Sequence, residues 1–181
     1  MKNDLKHTSK FLSLVIRHQP DAIGLTLDAN GWADLDELIS CAARKGRKLD
    51  LPLLREVVAN NDKQRFALDE AQGRIRANQG HSVDIDLGLQ AVLPPVVLYH
   101  GTATRFVEQI RRDGLKPGSR QHVHLSTQPA TATDVGERHG KPTVLSIKAL
   151  ALHNTGHAFY CSANGVWLTD HVPVAYIEFP A

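Results

Sequence analysis

Cysteine, long apolar runs and an excess of charge of either sign are all scarce in this chain of 181 residues. Cys41 and Cys161 are the only cysteines. They fall in separate halves, with no CxxC pair and no Cys/His cluster, which excludes a disulfide scaffold and a zinc site. Both read as packing residues, and cysteine usage points to a reducing cytoplasm. The longest nearly apolar stretch, Ala91 to Tyr99, is broken by Pro94 and Pro95. A spanning helix needs ~20 apolar residues, so none is expected. Lys2, Lys6 and Lys10 precede Phe11-Leu-Ser-Leu-Val-Ile16, an order superficially like a signal peptide. The apolar run is shorter than the ~7–15 residues of such a segment, and an amphipathic first helix accounts for it better. Low-complexity segments and internal repeats are missing too, so collagen-like, coiled-coil and disordered classes drop out.

The net charge is only +2, and residues 1–93 carry 13 Lys+Arg against 13 Asp+Glu. Any polyanion site must therefore be local. Histidine is plentiful by contrast: ten residues, seven of them after position 99. A side chain that donates, accepts or titrates near neutrality has been placed repeatedly in the second half.

The pattern predicts two lobes of an α+β protein, divided near Val92-Leu-Pro-Pro-Val96 into residues 1–92 and 93–181. The first is helix-rich. Helices are expected over 5–18, over 35–44 behind the capping residue Asp34, and over 51–60 behind Asp50 with Pro52 near its start. A strand pair at 65–69 and 73–77 follows. Three helices and a two-stranded wing is a winged-helix order. In the second lobe strands are expected at 96–100, 122–126, 143–147, 165–169 and 175–179, with helices over 103–113 and 129–137.

Several short motifs carry polar chemistry, and each has an ordinary structural explanation. Arg17-His18 ends an apolar helix, where a basic pair complements the helix dipole. Arg76-Ala-Asn-Gln-Gly-His-Ser82 is a strand running into a polar turn. In Tyr99-His-Gly-Thr102 a strand presents a histidine beside a glycine that admits close approach of the backbone. His122, His124 and Ser126 share one face of a strand. Val135-Gly-Glu-Arg-His-Gly-Lys-Pro142 opens a helix end into a charged loop without Walker or GxGxxG spacing, and Asn164-Gly165 is first a hairpin turn.

The order of these motifs along the chain is far more specific than any one of them. Taken together they closely resemble the NAD-dependent RNA 2′-phosphotransferases of the Tpt1/KptA family, over nearly the whole chain. The resemblance implies a winged-helix RNA lobe followed by an NAD lobe of the ADP-ribosyltransferase fold. It implies that an internal RNA 2′-phosphate is transferred to NAD, as in tRNA splicing. The products are 2′-hydroxyl RNA, ADP-ribose 1″,2″-cyclic phosphate and nicotinamide, formed through an RNA 2′-phospho-ADP-ribose intermediate. The family's catalytic Arg-His-Arg-Arg set falls on Arg17, His18, Arg76 and Arg138, and its NAD-binding positions on His100, Gly101, Thr102 and Ser126.

The residue types suit that chemistry. Guanidinium forks match phosphate oxygens bidentately and stay charged when desolvated. An imidazole, with an ordinary pKa of ~6.5, exchanges a proton near neutrality. No carboxylate cluster of the kind Mg²⁺ prefers is visible, so catalysis without a metal is expected, by a monomer acting on RNA and NAD and not on a membrane. Two other readings remain at this stage: a mono-ADP-ribosyltransferase acting on another phosphorylated or nucleic-acid acceptor, and a non-catalytic winged-helix binder with a degenerate NAD lobe.

Overall fold

Two aspartates start two of the helices in the N-terminal half. Asp34 Oδ1 accepts from the Glu37 amide at 2.9 Å, and Asp50 Oδ1 accepts from the Leu53 amide at 2.9 Å, each satisfying a donor that has no partner within its own helix. The computed structural model describes residues 2–61 and 63–180, without the side chains of Lys2 and Asn3. These residues form two units, 1–88 and 89–181.

The first unit contains α1 (Lys2–Arg17), β1 (Trp32–Asp34), α2 (Leu35–Arg44), α3 (Leu51–Ala59), β2 (Phe66–Asp69) and β3 (Arg74–Ala77). The three strands make an antiparallel sheet in the order β1-β3-β2, with Trp32 opposite Arg76 and Phe66 opposite Ala77. Leu12, Val15 and Ile16 of α1, Leu38 of α2, Leu54 of α3 and Ile75 of β3 are buried together in one core. Spacings of three and four residues put the α1 members on one helix face, which fixes how α1 is turned.

The second unit contains β4 (Leu98–Ala103), α4 (Val107–Asp113), β5 (Val123–Leu125), α5 (Pro129–Glu137), β6 (Pro142–Ile147), α6 (Ala149–His153), β7 (Tyr160–Cys161), β8 (Trp167–Thr169) and β9 (Ile177–Glu178). Its two antiparallel sheets run β4-β6-β9 and β5-β8-β7. The Tyr99 and Ser126 backbones exchange hydrogen bonds of 2.8 and 2.9 Å, tying β4 to the residue that follows β5. Leu98, Leu145, Ile147, Leu152 and Phe159 centre a separate core. The chain is thus a mixed fold of helices with small antiparallel sheets.

Most predicted elements are present, with shifted ends. The segment expected as a linker differs more. The Val92 amide bonds the Phe159 carbonyl at 2.8 Å, Pro94 is buried, and the Val96 carbonyl accepts from Leu150. Those contacts place 92–96 inside the second unit. The prolines there end regular structure without freeing the chain.

Candidate active-site residues

Arg17 ends α1 and His18 follows it. The Arg17 carbonyl, one of the acceptors left over at a helix C-terminus, accepts from the Ser82 amide at 2.9 Å and from Val83 at 3.4 Å. That pairing fastens the Gly80-His81-Ser82 turn to the end of α1. The Ser82 hydroxyl then lies 2.9 Å from His18 Nδ1, fixing the imidazole. The Arg17 guanidinium donates to the Arg65 carbonyl at 3.3 Å and sits 5.9 Å from the centre of the Phe66 ring.

Arg76 lies on β3, the central strand, directly across from Trp32 in β1. Its guanidinium is 4.6 Å from the Trp32 ring and that of Arg74 is 4.4 Å from the same ring, so the indole is flanked by two cations. Burial and then Arg74 pull the Arg76 pKa down, against an opposing pull from Asp28. The group stays cationic, and partial desolvation strengthens its grip on an anion.

His81 is the residue that sequence reasoning passed over as turn chemistry. It is 1% exposed, and neither ring nitrogen has a hydrogen-bond partner among the described residues. Burial, then the charges of Arg17, His18 and Arg76, push its pKa down to about 4. His81 is therefore neutral at physiological pH, and all three predicted catalytic residues of the first unit lie close enough to act on it. Arg17, His18 and Arg76 thus lie within electrostatic range of this one buried ring. The signal in the sequence was a histidine between Gly80 and Ser82, close behind an arginine strand.

The remaining predicted residues belong to the second unit. His100, Gly101 and Thr102 are consecutive on β4. His100 Nδ1 lies 3.0 Å from the His124 carbonyl. A carbonyl only accepts, so Nδ1 carries the proton and Nε2 is left as the acceptor. Burial, reinforced by Arg120 and His139, holds His100 below its ordinary pKa, with the bond to the His124 carbonyl acting the other way. The ring is thus a neutral one suited to accepting from a hydroxyl.

Gly101 was expected to admit a ligand to the backbone. In the structure the close neighbour is α5: a Cβ at position 101 would overlap the Ala132 carbonyl. Gly136 is the reciprocal case, where a Cβ would stand 2.6 Å from the Thr102 carbonyl. Two glycines thus let α5 press onto β4. Ser126 Oγ accepts from the Gln128 amide at 3.0 Å just before α5, which leaves the hydroxyl proton to donate.

Arg138 is the C-cap of α5 and is exposed. It lies near Arg120, a residue outside the sequence-based set. The Arg120 side chain reaches solvent, but desolvation of its guanidinium, with the repulsion of Arg138 added, lowers its pKa. Arg120 Nη1 donates to His124 Nδ1 at 3.3 Å. Two arginines beside a row of histidines form an anion-friendly patch. Among the described residues no group of His, Cys, Asp and Glu could hold a metal ion, and no helix is long and apolar enough to cross a membrane.

Comparison with known proteins bears on this arrangement. A family model described as RNA 2′-phosphotransferase, Tpt1/KptA family, matches residues 2–171. A protein of Hahella chejuensis named probable RNA 2′-phosphotransferase is 59% identical, over 98% of this chain and 96% of the relative. Proteins carrying that same name in Pseudomonas aeruginosa and Acaryochloris marina are 58% and 55% identical, over 98% and 97% of both chains respectively.

Proposed function

The chain belongs to the RNA 2′-phosphotransferase (Tpt1/KptA) family, and we propose that it removes an internal RNA 2′-phosphate by transferring that phosphate to NAD. The observation that carries this reading is the match to the family along nearly the whole chain, with Arg17 and His18 both fastened to the turn that holds the buried His81, and Arg76 within electrostatic range of that ring. In this reading the first unit is a winged-helix RNA lobe. The second is an NAD lobe of the ADP-ribosyltransferase type.

Chemistry follows from the charges. A phosphate monoester near neutral pH holds close to two negative charges, so it needs no base to become a nucleophile. One of its oxygens attacks the anomeric carbon of the nicotinamide ribose. The carbon–nitrogen bond breaks, and its electron pair leaves with neutral nicotinamide. In the second step the ribose 2″-hydroxyl attacks the phosphorus and the RNA 2′-oxygen departs. The proton lost by the 2″-hydroxyl balances the one gained by the RNA 2′-oxygen, and His18 is the group that moves it. Arg17 and Arg76 hold the phosphate oxygens, whose charge is most concentrated in this step.

NAD is a substrate consumed in the reaction. His100 Nε2 suits a ribose hydroxyl as an acceptor and Ser126 suits it as a donor, with Thr102 and the Gly101 backbone on the same strand. Neutrality of His100 favours this role, because an imidazolium could only donate. The proposed chemistry requires no metal ion and no second copy of the chain.

Incubation with NAD and an oligoribonucleotide bearing one internal 2′-phosphate tests the reading. Mass spectrometry should find ADP-ribose 1″,2″-cyclic phosphate and nicotinamide. The same oligonucleotide without the 2′-phosphate should yield neither. Equal nicotinamide release from both would instead indicate an ADP-ribosyltransferase with another acceptor.

A further inference from the structure

A groove of about 820 Å³ runs beside α1 in the first unit. One wall is a stripe of α1: Lys6, Ser9, Lys10, Ser13 and Leu14, closed at its C-terminal end by His18. These positions recur every three or four residues and so lie on one helix face. From Lys6 to His18 the stripe spans about 18 Å at 1.5 Å per residue. The facing wall comes from the end of α3 and the loop after it, including Asn60, Asn61, Lys63 and Arg65.

The described residues that line this groove carry charge of one sign. Four cations line it and, among the described lining residues, no carboxylate does, although residues 1–93 as a whole are charge-balanced. Its floor is fixed in advance: Asn61 Nδ2 donates to Ser9 Oγ at 3.3 Å, and Asn61 Oδ1 accepts from Arg65 Nη1 at 3.0 Å. Lys6, Lys10 and Lys63 are exposed, and Leu14, beside His18, leaves 42% of its surface uncovered. Spaced cations with hydroxyl and amide groups between them match a phosphodiester chain. The exposed leucine offers a surface on which a base packs. At ~3.4 Å per stacked nucleotide the stripe is roughly five nucleotides long.

We propose that this groove is the track for the RNA strand on one side of the 2′-phosphorylated nucleotide, with Lys6, Lys10 and Lys63 taking its backbone phosphates. The assignment rests on the reading of the chain as an RNA 2′-phosphotransferase, because it is His18 that joins the groove to the reacting phosphate. It adds a direction to that reading. His18 stands at one end of the α1 stripe, so nucleotides on one side of the modified residue bind along it and those on the other side do not.

Steady-state kinetics on three substrates test this: a trinucleotide with a central 2′-phosphate, and the same trinucleotide extended by several residues on its 5′ or on its 3′ side. In the unaltered protein one extension, and not the other, should lower KM by about tenfold. Its salt dependence should then be steeper by roughly 0.7 in log–log slope for each phosphate bound. In the Lys6→Ala/Lys10→Ala/Lys63→Ala protein that advantage should vanish and the slope should fall by about two. An advantage that survives the triple substitution, equal benefit from both extensions, or no benefit from either overturns the groove assignment, while turnover of the trinucleotide leaves the phosphotransferase reading standing. Competition by a polyglutamate peptide, but not by unmodified RNA of equal length, would also overturn it and assign the groove to an acidic protein segment. Failure to turn over any of the three substrates removes the phosphotransferase reading and the groove assignment with it.

Discussion

The Ser82 hydroxyl holds His18 through a 2.9 Å contact to Nδ1, while the Ser82 amide holds the Arg17 carbonyl at 2.9 Å. One residue thereby fixes both members of the Arg-His pair, the first by its backbone and the second by its side chain. Ser82→Ala removes only the second hold. A hydrogen bond of this kind contributes ~1 kcal/mol, or about a fivefold change in rate. The variant should keep its fold and its KM for RNA and lose about fivefold in kcat, with Ser82→Thr retaining more of it. Loss of RNA affinity with unchanged kcat would move Ser82 from positioning His18 to binding substrate.

His81 predicts an acid transition. An ordinary histidine takes up a proton near pH 6.5, whereas burial and three neighbouring positive charges hold His81 near 4. Between those values the unfolded chain binds a proton that the folded chain refuses. The stability contributed by neutral His81 is complete above about pH 6.5 and falls as pH drops towards 4, by up to roughly 3 kcal/mol. Urea unfolding across this range should show that decline, and His81→Gln should flatten it whatever its effect at neutral pH. Equal pH slopes in the two proteins would contradict the burial argument.

Gly101→Ala should be far more costly than a single methyl group suggests. The new carbon overlaps the Ala132 carbonyl, so α5 has to move off β4 or the strand has to bend. A loss of about 2–4 kcal/mol is expected, as for other over-packed positions. Thermal unfolding should register it as a lower midpoint. A stable variant that has lost only its affinity for NAD would show instead that the glycine serves the ligand.

His18→Ala and Arg76→Ala should separate the two chemical steps. The first step starts from an oxygen that is already anionic. The second needs a proton moved and concentrated charge stabilised, contributions of typically ~10²–10⁴ and ~10²–10³ in rate. Quenched time courses should therefore show RNA 2′-phospho-ADP-ribose accumulating in both variants. Untouched substrate at every time point, with no ADP-ribosylated RNA, would place these side chains in binding or in the first step.

Much of the fold was legible because its signals are local. Helix α2 spans the predicted residues, since Asp34 caps one end and the chain turns at Lys45-Gly46 beyond the other. Strands β1 and β7 were missed for the opposite reason. At three and two residues they are too short to alternate, and they exist only through their partners β3 and β8. The composition of residues 92–96 suggests a linker, but Val92 and Val96 bond to Phe159 and Leu150, more than fifty residues away. The candidate site divides in the same way. Arg17, His18, Arg76 and the β4 residues are candidates on the strength of motif order alone. The burial of His81, the neighbouring of Arg120 and Arg138, and the meeting of Lys6 and Lys10 with Lys63 depend on packing between distant segments.

The central claim is that the phosphate itself travels from RNA to the NAD-derived product, and an isotope follows it directly. An oligoribonucleotide whose internal 2′-phosphate carries ¹⁸O in its non-bridging oxygens is incubated with NAD and the protein, and the products are weighed by mass spectrometry. The account predicts all three ¹⁸O atoms in ADP-ribose 1″,2″-cyclic phosphate, one of them bridging phosphorus to C1″, with the product matched mole for mole by nicotinamide and by 2′-hydroxyl RNA. Label recovered as inorganic phosphate, with NAD unchanged, would contradict it and identify a phosphatase.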